Sequence, residues 1–334
     1  MTALLYIETG STSPSLNLAF EEYFLKEKDL GEDCFMLYCN LPAIVVGRFQ
    51  NTFEEINPTF TNQQGINIMR RISGGGAVYH DLGNLCFSFI YTGTAAETID
   101  KSKLARPVAE ALSRLGIQVE LSKRNDMFLA GKKFSGNAMA LSRHKLLYHG
   151  TLLFDADLEI LTQALIRPAG RIESKGIQSI RSEVTNLKPY FSPEIEIGQF
   201  KQALIRELLN NLSPRFYEPT RQDLSAITDL AQKKYLNWDW TIGSNPPSSL
   251  RRTCDLSAGI LEIHLELETG RIMQCILGAQ WLDPVFLHEV ETRLTHVRYE
   301  LDDVREALDS YPVSPHLKES LIHCLMGVQA NGAN

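Results

Sequence analysis

Apolar positions along this chain repeat at two periods, and each period predicts an element. Within 14–28, Leu16, Phe20, Tyr23 and Phe24 share one face at helical spacing and Pro14 suits a first turn, which predicts a helix. The runs at 34–39 and 43–46 predict two short strands around the turn Asn40-Leu41-Pro42. Ile66, Ile68, Arg70 and Ile72 occupy every second position and predict a strand, and 84–92 (NLCFSFIYT) predicts another. Three consecutive glycines, Gly74, Gly75 and Gly76, therefore join strand to strand rather than strand to helix. Leu104, Val108, Ala111, Leu112 and Leu115 predict the next helix, followed by short strands at 117–121, 126–130 and 145–154. Gly131-Lys132 predicts a hairpin turn, with Lys133 opening the return strand. Helical spacing returns at 157–166, at 199–212, and over Leu224, Ile227, Leu230 and Ala231.

The texture changes at WDWTIGSNPPSSL (238–250), where two tryptophans run into Gly, Ser, Asn and two prolines; this reads as a domain junction. Beyond it Leu261, Ile263, Leu265 and Leu267 alternate with Glu262, His264 and Glu266, and Glu268-Thr269-Gly270 turns the chain into 271–277, a hairpin with one wet face. Asp283-Pro284 and Ser314-Pro315 are helix starts, and Gly327 is a helix stop. The expected organisation is a domain over 1–240 and a small α+β domain over 250–334. The elements do not follow a strict βαβα order. The fold class expected for the first domain is therefore α+β, a mixed or mostly antiparallel sheet with flanking helices, in preference to a doubly wound one.

Composition narrows the classes of function. With 334 residues, a net charge of -7 and pI near 5.7, the chain lacks the basic surplus of a duplex binder, so no nucleic-acid partner is expected. No run of 18 apolar residues is present and MTALLYIETG has no basic n-region, so neither a membrane span nor a secretory signal is expected. Six cysteines scattered without C-x-x-C spacing fit reduced thiols of a cytoplasmic protein.

Three segments mix glycine, serine and cations: RRISGGG at 70–76, GKKFSG at 131–136 and KGIQSIRS at 175–182. Glycine admits a ligand close to backbone N–H groups, and Lys and Arg suit phosphate or carboxylate. Taken singly, each is more often a solvated turn. The glycine run completes no familiar phosphate pattern: Gly76 is followed by Ala77-Val78 rather than Lys-Ser/Thr, and G-x-G-x-x-G from Gly74 ends on Tyr79.

In order along the chain stand VGRFQN (46–51), RRISGGGAVYHDLGN (70–84), NDMFLAGKKFSGNA (125–138), YHGTLLFDADL (148–158) and KGIQSIRSEVTNL (175–187). With this set the chain resembles the lipoate–protein ligases over nearly its whole length. It departs from the common pattern at Thr52-Phe53, where many members carry Pro-Trp, at Phe49, and at Pro247-Ser248-Ser249, which lacks the usual aromatic. Those departures bear on the edge of the acyl pocket and on domain docking.

The resemblance implies a two-step ligase that uses ATP, Mg²⁺ and lipoate. Lipoate and ATP give lipoyl-AMP, and the lipoyl group then passes to a lysine of an acceptor domain. The implied acceptors are the lipoyl domains of 2-oxoacid dehydrogenase complexes and the glycine cleavage H protein. By motif position, Arg71, Gly76, Ala77, Val78 and Tyr79 correspond to ATP or adenylate contacts. Ser73, Gly74 and Gly75 correspond to the border of the lipoyl channel, and Lys133 to the lysine that meets both lipoyl carbonyl and phosphate. Lys175, Gly176, Ile177, Ser179 and Arg181 correspond to a loop that closes over the adenylate, and Asp126 to a metal contact.

Plainer readings stand beside these. Arg70 is either part of the site or a surface ion-pair residue. His80 and His149 are each either a general base or a structural hydrogen-bonder, the commoner fate of a strand histidine. Tyr79, Phe87 and Phe89 are tunnel walls or simply core. The nearest rival function is a lipoyl or octanoyl transferase on the same fold that does not itself activate free lipoate. A cysteine-dependent version needs a reactive thiol, and Cys86, in an apolar strand, reads as buried and inert.

Overall fold

The computed structural model describes residues 4–93, 100–165, 171–180, 182–209, 215–312 and 314–327. The chain divides into two compact units. The first comprises residues 1–48, 64–165 and 179–237; the second comprises 49–63, 166–178 and 238–334. Among the described residues no helix is long and apolar enough to cross a membrane.

The first unit is built on a six-stranded mixed sheet. Its strands run in the order Asn137–Ser142, Lys145–Leu153, Asn84–Tyr91, Cys34–Tyr38, Leu5–Ile7 and Arg215–Tyr217. The first four pair antiparallel and the last two join in parallel, so the fold is α+β as expected. One face carries Phe35, Leu37, Leu85, Phe87, Phe89, Leu146, Tyr148 and Leu152. These pack against Val108, Ala111 and Leu112 of helix Arg106–Arg114 and Phe200 and Leu204 of helix Ile197–Leu208. Phe87 and Phe89 are thus core.

Alternation along the strands puts Tyr38, Ser88 and His149 on the opposite face. Helix Pro14–Lys26 covers that face; Ser13 caps its N-terminus, and it is buried nearly all round. Two carboxylates on this helix are consequently buried and must be partnered. Glu22 accepts from Lys26, Lys234 and Tyr235, and Glu21 accepts from Tyr38 at 2.8 Å.

A three-stranded sheet carries the glycine run. Ala43–Val46 is central, parallel to Asn67–Arg70 and antiparallel to Val78–His80, so the glycines do link two strands. A second small sheet holds Glu120–Leu121, Met127–Leu129 and Lys132–Ser135. Its tight turn is Ala130-Gly131 (φ 50° and 76°), one residue earlier than expected, and Lys132 already belongs to the return strand. The strand expected at 117–121 shrinks to its last two residues.

The second unit is a four-stranded antiparallel sheet, Arg171–Ser174, Ser248–Leu256, Gly259–Glu268 and Arg271–Gly278, backed by helices Pro284–Leu294, Leu301–Asp309 and Pro315–Met326. The hairpin, both Asp/Ser-Pro caps and the Gly327 stop (φ 73°) lie where the sequence puts them. Ser248–Leu256 is a strand that sequence reading missed. One of its core-facing positions is Arg252, whose Nη1 donates to the carbonyls of Cys324 and Leu325 at the end of the last helix.

The departures at 52–53 belong to this unit. The Phe53 ring meets Tyr299 edge-on at 4.9 Å, and the Thr52 N–H and hydroxyl both donate to Asn245 Oδ1 at 2.9 Å. Phe53 thus keeps an aromatic anchor, on the edge of the unit's own core.

Candidate active site

The glycine run is shaped by an arginine at its own start. Arg71 is buried, and its guanidinium donates to four oxygens: Val45 O (2.9 Å), Ser73 Oγ (3.0 Å), Gly74 O (2.6 Å) and Gly76 O (2.7 Å). The Gly74 and Gly76 carbonyls, at the two ends of the glycine run, thus turn onto the same cation. Burial pushes the Arg71 guanidinium down to about 10, with Glu21 opposing. The loop also needs two close backbones. A methyl on Gly47 would lie 2.2 Å from Gly75 O, and Gly75 itself has φ +90°.

Arg70 is wholly buried, not a surface ion-pair residue. Its Nη1 donates to Gly47 O at 3.0 Å, and burial, then Arg48 and Arg71, pull it down to about 10. Cations concentrated here suit an anionic ligand.

Ser73 is the junction between loop and sheet. Its Oγ lies 2.6 Å from His149 Nε2, and His149 Nδ1 lies 2.8 Å from Glu21 Oε2. His149 is thus satisfied on both nitrogens. His80 is satisfied too. Asn40 Nδ2 donates to its Nδ1 at 2.9 Å, and burial, then Arg71 and His149, push it down to about 3, so it stays neutral. The adjoining Cys86 thiol is pushed well up by burial, the opposite of an activated nucleophile.

Lys133 comes from the hairpin. A bulge leaves Phe134 unpaired opposite the Met127/Phe128 step; Phe134 drops into the core and the Lys133 ammonium reaches Asp126 Oδ1 at 3.0 Å. The lysine tip lies over Gly136, where a methyl would sit 3.4 Å from its Nζ. Lys132, its neighbour, instead extends outward to Glu183. The strand leaving this hairpin passes beneath the glycine run, with Ala138 Cβ 3.8 Å from a methyl built on Gly75.

One segment touches both parts. The Ala77 N–H donates to Ser179 Oγ at 2.9 Å, while Lys133 N donates to Glu183 O (2.8 Å) and Thr185 N donates to Lys133 O (3.0 Å). Ser179 and Val184, five residues apart in the chain, are at most about 18 Å apart, which bounds the distance between the loop contact and the Lys133 strand. Tyr79 is buried opposite Ile44, and Val78 stands opposite Val45. Lys175, Gly176 and Ile177 fall in the second unit, where Gly176 N donates to Ser174 Oγ and Ile177 N to Phe49 O. Arg181 lies outside the described residues.

Asp126 supplies one carboxylate, already engaged by Lys133. Among the described residues no group of three His, Cys, Asp or Glu side chains is placed to hold a metal ion. That donor set fits only a cation that brings its other ligands with it, as Mg²⁺ on a nucleotide does.

Glu21 and Tyr38 are the participants that sequence reading missed. Glu21-Glu22 inside the apolar run LNLAFEEYFL was the available signal: two acids on a helix otherwise all core.

A glycine run organised by a buried arginine and a hairpin lysine thus lie in one unit, tied together by the contacts of Ser179, Glu183 and Thr185. The sequence profile described as "Lipoyl protein ligase A/B catalytic domain" matches residues 13–209, and "Bacterial lipoate protein ligase C-terminus" matches 245–325. The lipoate–protein ligase LplJ of Bacillus subtilis is 36% identical over 311 residues, 92% of this chain and 94% of that protein. A lipoate–protein ligase A solved with ATP is 28% identical with a TM-score of 0.60, covering 72% of this chain and 98% of that one. Thermoplasma acidophilum Ta0514, solved with lipoic acid, is 26% identical with a TM-score of 0.59 and the same coverage. The chain belongs to the lipoate–protein ligase family.

Proposed function

We infer that this protein is an ATP-dependent lipoate–protein ligase. It joins the lipoate carboxylate to the α-phosphate of ATP, with loss of pyrophosphate, and passes the lipoyl group to a lysine ε-amine of an acceptor domain. The observation that carries the reading is the pairing of Lys133 with Asp126 on the strand tied to residues 183–185, five residues beyond the Ser179 contact with the glycine run.

The first step brings two anions together. Lys133 offers a compact ammonium with three donors, suited to bridge a carboxylate oxygen and a phosphate oxygen. Arg71 acts on the nucleotide through the loop: by holding the carbonyls of Gly74 and Gly76 it presents the backbone around Ala77 to the adenylate. In that state Ser179 releases the Ala77 N–H or shares it with a phosphate oxygen, keeping its hydroxyl beside the mixed anhydride. Mg²⁺ bound with the nucleotide supplies charge neutralisation, with Asp126 the carboxylate available to it. In the second step Lys133 stabilises charge developing on the acyl oxygen as the acceptor amine attacks, loses its proton and displaces AMP. The acceptors proposed are the lipoyl domains of 2-oxoacid dehydrogenase complexes and the glycine cleavage H protein.

The cysteine-dependent form of the transferase alternative is not favoured: Cys86 is buried with a raised thiol. Incubating the protein with ATP, Mg²⁺, lipoate and a lipoyl domain, then weighing the domain, tests the reading. A lipoyl adduct on the acceptor lysine is expected. Modification only from synthetic lipoyl-AMP would reassign the protein as a transferase.

A further inference from the structure

The bonds around Ser73 form one chain of buried groups running from a cation to an anion. Arg71 Nε donates to Ser73 Oγ (3.0 Å); Ser73 Oγ meets His149 Nε2 (2.6 Å); His149 Nδ1 meets Glu21 Oε2 (2.8 Å); Tyr38 OH donates to Glu21 Oε1 (2.8 Å). All five side chains are buried, the least so being His149 at 7%.

A guanidinium only donates, so Ser73 Oγ accepts from Arg71, and against a neutral His149 ring whose Nδ1–H faces Glu21 its own proton goes to the lone pair on Nε2. An ionised carboxylate only accepts, so Glu21 takes one proton from Tyr38 and one from His149 Nδ1. The neutral Nδ1–H tautomer of His149 satisfies all the groups at once, and the Arg71 and Glu21 charges sit at the two ends of the bridge. A fully satisfied buried network of this kind holds its members rigidly.

What the network holds is the glycine run. The guanidinium that receives its orientation from Ser73 also grips Val45, Gly74 and Gly76. Behind Ser73 stand a helix (Glu21) and two sheet strands (Tyr38 and His149), elements far stiffer than the loop. We propose that Glu21 and His149 are positioning residues for the adenylation step, acting through Ser73 and Arg71 to set the path of the glycine run while touching neither phosphate. The proposal rests on the ligase reading of the site.

Glu21→Gln is the sharpest probe, because it keeps the shape and removes one acceptor. With its oxygen towards the Tyr38 hydroxyl, the new amide donates to His149 Nδ1, the ring proton moves to Nε2, and Ser73 loses the acceptor for its own proton. Three measurements on the full-length protein test the proposal. Imidazole ¹⁵N shifts report the tautomer: Nδ1–H for His149 in the unaltered protein, Nε2–H in Glu21→Gln. Lipoyl-AMP formation from ATP and lipoate should fall in kcat on the order of 10²-fold in Glu21→Gln and in His149→Phe, with the KM for ATP shifting far less. Transfer from supplied lipoyl-AMP should change only a few-fold, because a preformed adenylate no longer needs the in-line approach of two anions.

Should Glu21→Gln fail to fold, Tyr38→Phe removes a single oxygen at the far end of the chain, and a fall of about 2- to 10-fold in the same step is expected. An Nε2–H tautomer in the unaltered protein would overturn the proposal, as would an unaltered adenylation kcat in folded Glu21→Gln or Tyr38→Phe. If the unaltered protein forms no lipoyl-AMP at all, the ligase reading fails instead; the tautomer measurement still decides the network.

Discussion

The Lys133 ammonium lies 3.0 Å from the Asp126 carboxylate, with side-chain exposures of 22% and 20%. The pair is shielded but not sealed. An anion brought to Lys133 would therefore compete with a carboxylate for the same cation, rather than meeting a bare charge.

Removing the cation tests its part in the chemistry. Lys133→Ala is expected to lower the rate of lipoyl-AMP formation on the order of 10²- to 10³-fold, as loss of a preorganised donor does elsewhere. Lys133→Arg keeps the charge but replaces a point donor with a planar fork, so an intermediate loss is expected. Pyrophosphate release with lipoate present measures both; full activity in Lys133→Ala would remove the residue from the mechanism.

Asp126→Asn separates two roles of the carboxylate. If Asp126 only orients Lys133, the rate falls equally at every Mg²⁺ concentration. As a metal contact, its loss raises the Mg²⁺ concentration needed for half-maximal rate. The metal-contact assignment requires the second outcome.

Arg71→Lys trades a guanidinium serving four oxygens for a single ammonium. Hydrogen bonds to charged groups contribute about 1.5–3 kcal/mol each, and carbonyls left buried without donors cost more. A stability loss of about 3 kcal/mol is expected in urea unfolding, together with a raised KM for ATP. An unchanged midpoint with an unchanged KM would contradict the clamp.

Acid should weaken the fold through His80. Its folded value, about 3, lies far below the ordinary 6.5, so between those limits the unfolded chain binds the proton and the folded chain does not. The stability owed to the neutral ring is complete above about pH 6.5 and falls with pH toward about 3, at up to ~1.4 kcal/mol per unit. Between pH 7 and 5, His80→Asn should lose about 2 kcal/mol less than the unaltered protein in urea titrations. Parallel losses in the two proteins would count against this ring as a source of acid sensitivity.

In the second unit Arg252→Ala removes a buried cationic donor from the carbonyls of Cys324 and Leu325, which keep only the Gly327 N–H and the Tyr299 hydroxyl respectively. A destabilisation of about 3 kcal/mol is expected in chemical unfolding, with faster amide exchange confined to the end of helix Pro315–Met326 and its partner strand. Exchange that rises evenly over the whole chain would point to a different cause.

Periodicity located nearly every long element, because a strand or helix with one buried face writes its period into the chain. It was blind where the period fails. Leu5–Ile7 and Arg215–Tyr217 are three residues each, too short to show alternation, and Ser248–Leu256 hides its pattern behind Arg252 at a core-facing position. Helix Pro14–Lys26 was visible, but Glu21 was not legible as part of the site, because its partners His149 and Tyr38 lie 128 and 17 residues away.

By itself the sequence determined the fold class, the strand-to-strand setting of the glycines, and Lys133 rather than Lys132 as the lysine matching the family motif. Each of these follows from local pattern or motif order. Only the tertiary structure decided what the charged groups do. Arg71 corresponds by motif position to an ATP or adenylate contact, and the structure adds that its guanidinium holds the Val45, Gly74 and Gly76 carbonyls and the Ser73 hydroxyl. Arg70 reads as a candidate surface charge and is buried. Segments 49–63 and 171–178 read as parts of the first domain and pack with the second unit. The reason is physical: a side chain's partners are chosen by which distant strands and helices are brought beside it. Burial then makes those partners obligatory, because an unpaired charge in the interior costs more than any local preference supplies.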